Sequence, residues 1–180
     1  MKGLLLTTAI ILGLSAVSLQ LAVAQTPPSS APRVALGPAD TYFVTQTSLG
    51  NPFQVDSGRL AETQGTTQPI RSYAELMVTS HITVNNALLA ILKDKAPVPP
   101  PTLLRAAYST TVLTLQHESG PTFDTDYVRG QANYQRANAA LYQYEIANGT
   151  DPDLKVFAQE TLPKIQDHLA RALKLEGAAD

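Results

Sequence analysis

Residues 69–92 read PIRSYAELMVTSHITVNNALLAIL. Ile70, Ala74, Met77, His81, Val84, Leu88 and Ile91 follow one another at alternating spacings of four and three. That alternation gathers them on one face of an α-helix, the pattern of a bundle seam, and it does not fit the two-residue period of a strand. Pro69 suits the first helical position, where a missing amide hydrogen is no loss. One residue on the seam is not apolar: His81.

The residues on either side extend the helical pattern. Downstream, Ala96-Pro97-Val98-Pro99-Pro100-Pro101 cannot continue a helix and reads as a stiff connector of polyproline character. A shorter helix is expected from about Thr102 to Glu118, with Leu104, Ala107, Tyr108, Thr111 and Leu115 on one face, stopped by Gly120-Pro121. A long one follows from about Phe123 to Ala147. Its expected stripe is Phe123, Tyr127, Gly130, Tyr134, Ala137, Leu141 and Tyr144, and Asn148-Gly149 would end it in a left-handed turn. Asp151-Pro152-Asp153 opens the last helix as N-cap, first-turn proline and dipole-matched carboxylate. Its apolar face reads Leu154, Phe157, Ala158, Leu162, Ile165, Leu169 and Ala172, with His168 on the rim and a kink expected at Pro163. Upstream, residues 39–64 carry Phe43, Val44, Leu49, Phe53 and Leu60. Gly50-Asn51-Pro52 interrupts them. Either the helix kinks there, or Asn51 caps a second short helix that begins at Pro52. The fold class is therefore all-α: an up-and-down bundle of four long helices plus a short one, spanning residues 39–176, with 177–180 as a tail.

The start of the chain is different. Met1-Lys2 is followed by an uncharged run over residues 3–24, and Ala22-Val23-Ala24 matches a small-x-small cleavage site. Residues 1–24 are expected to be a signal peptide, and the protein to be exported, periplasmic or otherwise extracytoplasmic. The alternative is an uncleaved membrane anchor; Thr7, Thr8, Ser15, Ser18 and Gln20 weaken it. Residues 25–38, QTPPSSAPRVALGP, read as a disordered linker. There is no cysteine, which excludes disulfides, thiolate metal sites and a cysteine nucleophile. The net charge is −2, with no basic block, so nucleic acid is not an expected partner.

Three phrases carry a family resemblance: MVTSHITVNNALLAIL (77–92), SGPTFDTDYVRGQANYQRANAALYQYE (119–145) and NGTDPDLKVFAQETLPKIQDHLARAL (148–173). The chain resembles the bacterial domain of unknown function 4142, which is grouped with ferritin-like four-helix bundles. The last phrase is the most specific, with its G-x-D-P-x-L-K-x-F-A start and L-P-x-x-x-x-H-L end. The resemblance implies an exported helical bundle and supplies no activity. The chain also departs from the pattern. Ser80 stands where an acidic residue tends to precede the histidine, Tyr134 or Gln135 where a histidine is common, and the acidic residues of the first helix are reduced to Asp56 and Glu62.

A ferritin-like di-iron site needs Glu-x-x-His on two helices and a glutamate from each of two others. The residues three positions after Glu62, Glu75, Glu118, Glu145 and Glu160 are Gly65, Val78, Pro121, Asn148 and Pro163. The di-iron set is absent. What remains is a pair of candidate metal ligands, His81 and His168, which could meet if their helices are neighbours. Two histidines are too few for a structural zinc site, and each also suits a hydrogen-bonded core or boundary position. His117, near a helix end, reads as exposed. Tyr127, Tyr134, Tyr142 and Tyr144 share one helix and read as packing residues, with Tyr142 off the stripe. No nucleophile elbow and no phosphate-binding glycine loop is present. The leading expectation is a non-enzymatic exported bundle that binds an unknown envelope partner or small ligand. The alternative is a metal-binding or redox-related bundle that uses His81 and His168 with a transition metal.

Overall fold

The computed structural model describes residues 34–95 and 102–179. The expected signal peptide, most of the linker and the proline-rich connector lie outside the described residues. Five helices follow one another: α1 Pro38–Gln64, α2 Gln68–Leu92, α3 Thr102–Gln116, α4 Gly120–Asn148 and α5 Pro152–Ala179. Helix α1 pairs with α2 and α4 with α5; α1 also meets α4 and α2 meets α5, so these four close a square. The short α3 returns the chain along the outside and leans on α1. Every helix around the square is antiparallel to its neighbours, as short loops require.

Of the two readings of Gly50-Asn51-Pro52, the split into two helices does not occur, and Pro163, where a kink was expected, also lies inside a helix. Helix α1 runs unbroken through Gly50-Asn51-Pro52, and α5 through Pro163. Both prolines are exposed. The carbonyl that each leaves without its intrahelical donor therefore lies on the solvent side, where water can serve it. Asn51 is no cap but a core residue, 1% exposed. Gly149 is extended, with φ −61° and ψ 147°, not left-handed. Its lack of a side chain matters for another reason: a Cβ there would overlap the Glu145 carboxyl. Two domain edges also move. Val34 and Leu36, expected in a disordered linker, are placed: the Val34 amide donates to the Asp94 carbonyl at 3.3 Å, and Leu36 packs on the core. Helix continues to Ala179, where a tail was expected.

The stripe expected on α4 is half right. Phe123 and Tyr127 are buried, but Gly130, Ala137 and Tyr144 are exposed. The inward line is Phe123, Tyr127, Gln131, Gln135, Asn138, Tyr142 and Glu145. Counting apolar residues selected the wrong face because this helix turns its carboxamides inward. Tyr142, expected off the stripe, is fully buried and packs edge-on against Phe43 at 4.9 Å. Helix α5 differs in the same sense. Thr161 and His168 belong to its buried line, while Leu162 and Leu169 are only partly covered.

Each end of the square is tied by an aspartate. At one end Asp40 of α1 accepts from the Thr150 amide at 2.8 Å, the Asp151 amide at 3.0 Å and the Thr150 hydroxyl at 2.5 Å. Asp151 caps α5 through the Leu154 amide at 3.1 Å, and Lys95 pairs with Asp151 at 2.6 Å and Asp153 at 3.0 Å. At the other end Asp124 accepts from the Thr66 amide at 3.0 Å and from its hydroxyl. Helix α2 is long and apolar enough to cross a membrane by length and composition alone. Its seam, however, is the face that closes the bundle.

Candidate functional site

Two apolar clusters fill the square, one near each end. Ile70, Ala74, Met77, Phe123, Tyr127, Val128 and Ala172 belong to the first; Phe43, Val84, Leu88, Tyr142, Leu154 and Ile165 to the second. The break falls at the same height on every helix. Between its two apolar runs α1 places Asn51 and Gln54, α2 places His81, α4 places Gln135 and α5 places His168. All five are buried, with at most 4% exposure. A polar layer therefore crosses the middle of the bundle.

The hydrogen bonds fix the state of His81. The Gln135 amide nitrogen, which can only donate, lies 3.4 Å from His81 Nε2. His81 Nε2 is then the acceptor, and Nδ1–H donates to Asn51 Oδ1 at 2.9 Å. The same Gln135 nitrogen approaches Met77 Sδ at 3.4 Å. His168 stands opposite, its ring centre 5.7 Å from that of His81 with the planes tilted by 45°. The Tyr73 hydroxyl donates to the His168 carbonyl at 3.3 Å, linking α2 to α5 just beside the layer. Six polar atoms here have no protein partner: Asn51 Nδ2, both ends of Gln54, Gln131 Oε1, Gln135 Oε1 and His168 Nδ1.

Both imidazoles are neutral. Burial pushes the pKa of His81 down to about 3, and the nearby His168 adds to the fall. Burial also pushes His168 down to about 4, against the pull of Asp167, while Arg171 and Lys164 favour the fall. Neutral imidazole is the metal-ligating form. In carboxylate-rich di-iron bundles the ligands project inward from the same kind of position. Here carboxamides occupy it. They can orient a ligand or accept its hydrogen bonds, but they cannot neutralise a highly charged centre. Among the described residues no group of three or more histidines and carboxylates could hold a metal ion.

An aromatic wall closes the side toward α3. Phe53 stacks on Tyr108 at 4.7 Å, Tyr108 meets Tyr134 at 6.3 Å, and Tyr134 meets His81 edge-on at 6.3 Å. Tyr134 reaches its place by crossing α1 at Gly50, where a Cβ would overlap its hydroxyl. The structure thus brings the two expected ligands together. It moves His168 from the rim into the buried line and leaves His117 exposed beyond the end of α3. Sequence reasoning missed Asn51, Gln54 and Gln135 as partners. The signal for Gln135 was there: Tyr127, Gln131, Gln135, Asn138, Tyr142 and Glu145 are spaced by fours and threes. A search that followed spacing irrespective of polarity would have found that line.

Among curated proteins, none matches the chain. One similar solved structure is a crystal structure of a DUF305 fragment from Deinococcus radiodurans. It is 13% identical, covers 80% of this chain and 99% of that one, and superposes with a TM-score of 0.70. At that identity the likeness concerns the fold, an all-helical bundle. The family model named Domain of unknown function (DUF4142) matches residues 25–175. With the match spanning nearly all of the chain, and with the three phrases above on the helices that build the layer, the chain belongs to the DUF4142 family.

Proposed function

We propose that this is an exported, non-enzymatic helical bundle that holds a transition-metal ion between His81 and His168. One observation carries the reading: two buried, neutral imidazoles from facing helices stand with ring centres 5.7 Å apart. A metal bound to two imidazole nitrogens at roughly 2.0–2.1 Å spaces the ring centres by roughly 5–6 Å. The Nδ1–H bond from His81 to Asn51 supports it further, because a second-shell acceptor of this kind orients a ligating imidazole. The His168 Nδ1 atom is buried without a protein partner. Export is supported by the positive start, the uncharged run and the Ala22-Val23-Ala24 site. A binding role in place of catalysis is supported by the layer's chemistry. Carboxamides do not exchange protons near neutral pH, and both imidazoles are held in one state.

A second reading draws on the 2.9 Å bond between His81 and Asn51. In it the layer is a register device, fixing which helix faces which. One experiment separates the two. Protein purified without chelators is analysed for bound metal and titrated with iron, manganese, zinc and copper ions. The metal reading expects stoichiometric binding that is lost in both His81→Gln and His168→Gln. No uptake of any ion, with both variants merely less stable, would sink it in favour of the register device.

A further inference from the structure

The donor set around His81 narrows the choice of ion. Met77 and His81 are four residues apart on α2 and share its inward face. Met77 is fully buried, and apart from Met1 it is the only sulfur in the chain. The Gln135 amide nitrogen lies 3.4 Å from Met77 Sδ and 3.4 Å from His81 Nε2. Its NH₂ group, the positive end of the amide dipole, thus occupies the space between a thioether and an imidazole lone pair. A small cation could take over that space if the Gln135 side chain turned aside. Its carbonyl oxygen has no protein partner holding it in place.

Charge points the same way. The layer offers two imidazoles, one thioether and several carboxamides, all neutral. The buried carboxylates Asp40, Asp124 and Asp151 belong to the ties at the ends of the bundle, and Glu145 lies against Gly149 at one of those ends. The cost of moving an ion into an apolar interior rises with the square of its charge, so a divalent ion suffers roughly fourfold the penalty of a monovalent one. With no anionic ligand to offset it, this site favours the smaller charge. Thioether and imidazole donors together favour a soft ion.

Resting on the metal reading above, we infer that the ion is monovalent and soft, copper(I), held by Met77 Sδ together with the His81 and His168 imidazoles. The Met77-Val78-Thr79-Ser80-His81 segment supplies two ligands from one helix face, and α5 supplies the third. Asn51 holds the His81 ring in the tautomer whose Nε2 is unprotonated and able to bind once Gln135 turns aside.

The test uses the purified protein, titrated without oxygen with copper(I) and silver(I) against a chromophoric chelator, and with zinc(II) in parallel. The expected result is one copper(I) per chain, bound at least about tenfold more weakly by Met77→Leu, which keeps the core volume. X-ray absorption on the unmodified protein is expected to show one sulfur beside nitrogen around the copper. That readout does not depend on any variant folding. Copper bound without a sulfur neighbour, or with unchanged affinity in Met77→Leu, overturns the inference. Zinc(II) bound more tightly than copper(I), and lost in the histidine variants, overturns it while leaving the transition-metal reading in place. A protein that binds none of these ions overturns the inference, and one that also takes up no iron or manganese overturns the metal reading with it.

Discussion

Glu145 allows a sharp test of how the first end of the bundle is built. Its side chain is fully buried beside Asp40, and neither carboxyl oxygen makes a well-formed hydrogen bond. Asp40 is held down to about 2: burial works to raise it, but the Thr150 hydroxyl and the Asp151 and Thr150 amides outweigh burial. Asp40 is therefore the charged member of the pair. Burial, with the Asp40 carboxyl alongside, raises Glu145 from 4.5 to about 7. Below pH 4.5 Glu145 is protonated whether the chain is folded or not, and it contributes no penalty. As the pH rises, the unfolded chain ionises first. The native state must either keep the proton or bury a second charge next to Asp40. Stability is thus lost progressively between 4.5 and about 7, and the loss is complete above that. At about 1.4 kcal/mol per unit the full effect is roughly 3 kcal/mol. Glu145→Gln keeps the shape and removes the titration. The variant and the wild type are unfolded in urea across this range, followed by helical circular dichroism. The expected difference is small at about pH 4 and grows to roughly 2–3 kcal/mol in favour of the glutamine variant at about pH 8. The difference between the two proteins is the useful quantity. His81 and His168, kept neutral by burial, make stability fall in the opposite direction, as the pH drops below their ordinary 6.5. That contribution cancels between the two proteins. Parallel curves, with no growth of the gap, would refute the account in which Glu145 is held protonated beside a charged Asp40.

Other expectations follow from single contacts. Gly50→Ala places a methyl group against the Tyr134 hydroxyl and is expected to cost about 1–3 kcal/mol, read by urea midpoint; Tyr134→Phe in the same chain should recover part of the loss. Lys95→Met removes the partner of buried Asp151 and should destabilise by about 2–3 kcal/mol, an effect that Asp151→Asn in the same chain reduces. Nitrogen NMR at neutral pH should find His81 as the Nδ1–H tautomer, because its Nε2 accepts from Gln135; an Nε2–H tautomer would contradict the hydrogen bonding described. Asn51→Leu removes the Nδ1–H acceptor and should weaken that preference, leaving Gln135 as its one support, while the protein stays helical.

Much of this architecture can be read from the chain alone. The four–three spacing of Ile70 to Ile91, the Asp151-Pro152 start and the missing cysteines are local facts. Local facts determine helices, their ends and the class of core, because helix periodicity and capping act within a few residues. The family could be recognised from the same phrases. What the chain could not disclose was which face of α4 turns inward. Its more apolar stripe and its buried line are different, and only the packing of α1 and α5 against it brings Gln131, Gln135 and Asn138 into the core. The proline at position 52 shows the same limit. Locally it reads as a break, but with its ring toward solvent and Tyr134 passing over Gly50, the helix continues. The candidate site lies at this boundary between the two kinds of information. His81 stood out as the polar residue on an apolar seam. That it faces His168 across the bundle, tied to Asn51 and neighboured by Met77 through Gln135, was decided by four helices meeting at one height. A distance between residues 87 positions apart depends on helix register, and register is a property of the assembled bundle, not of any one segment.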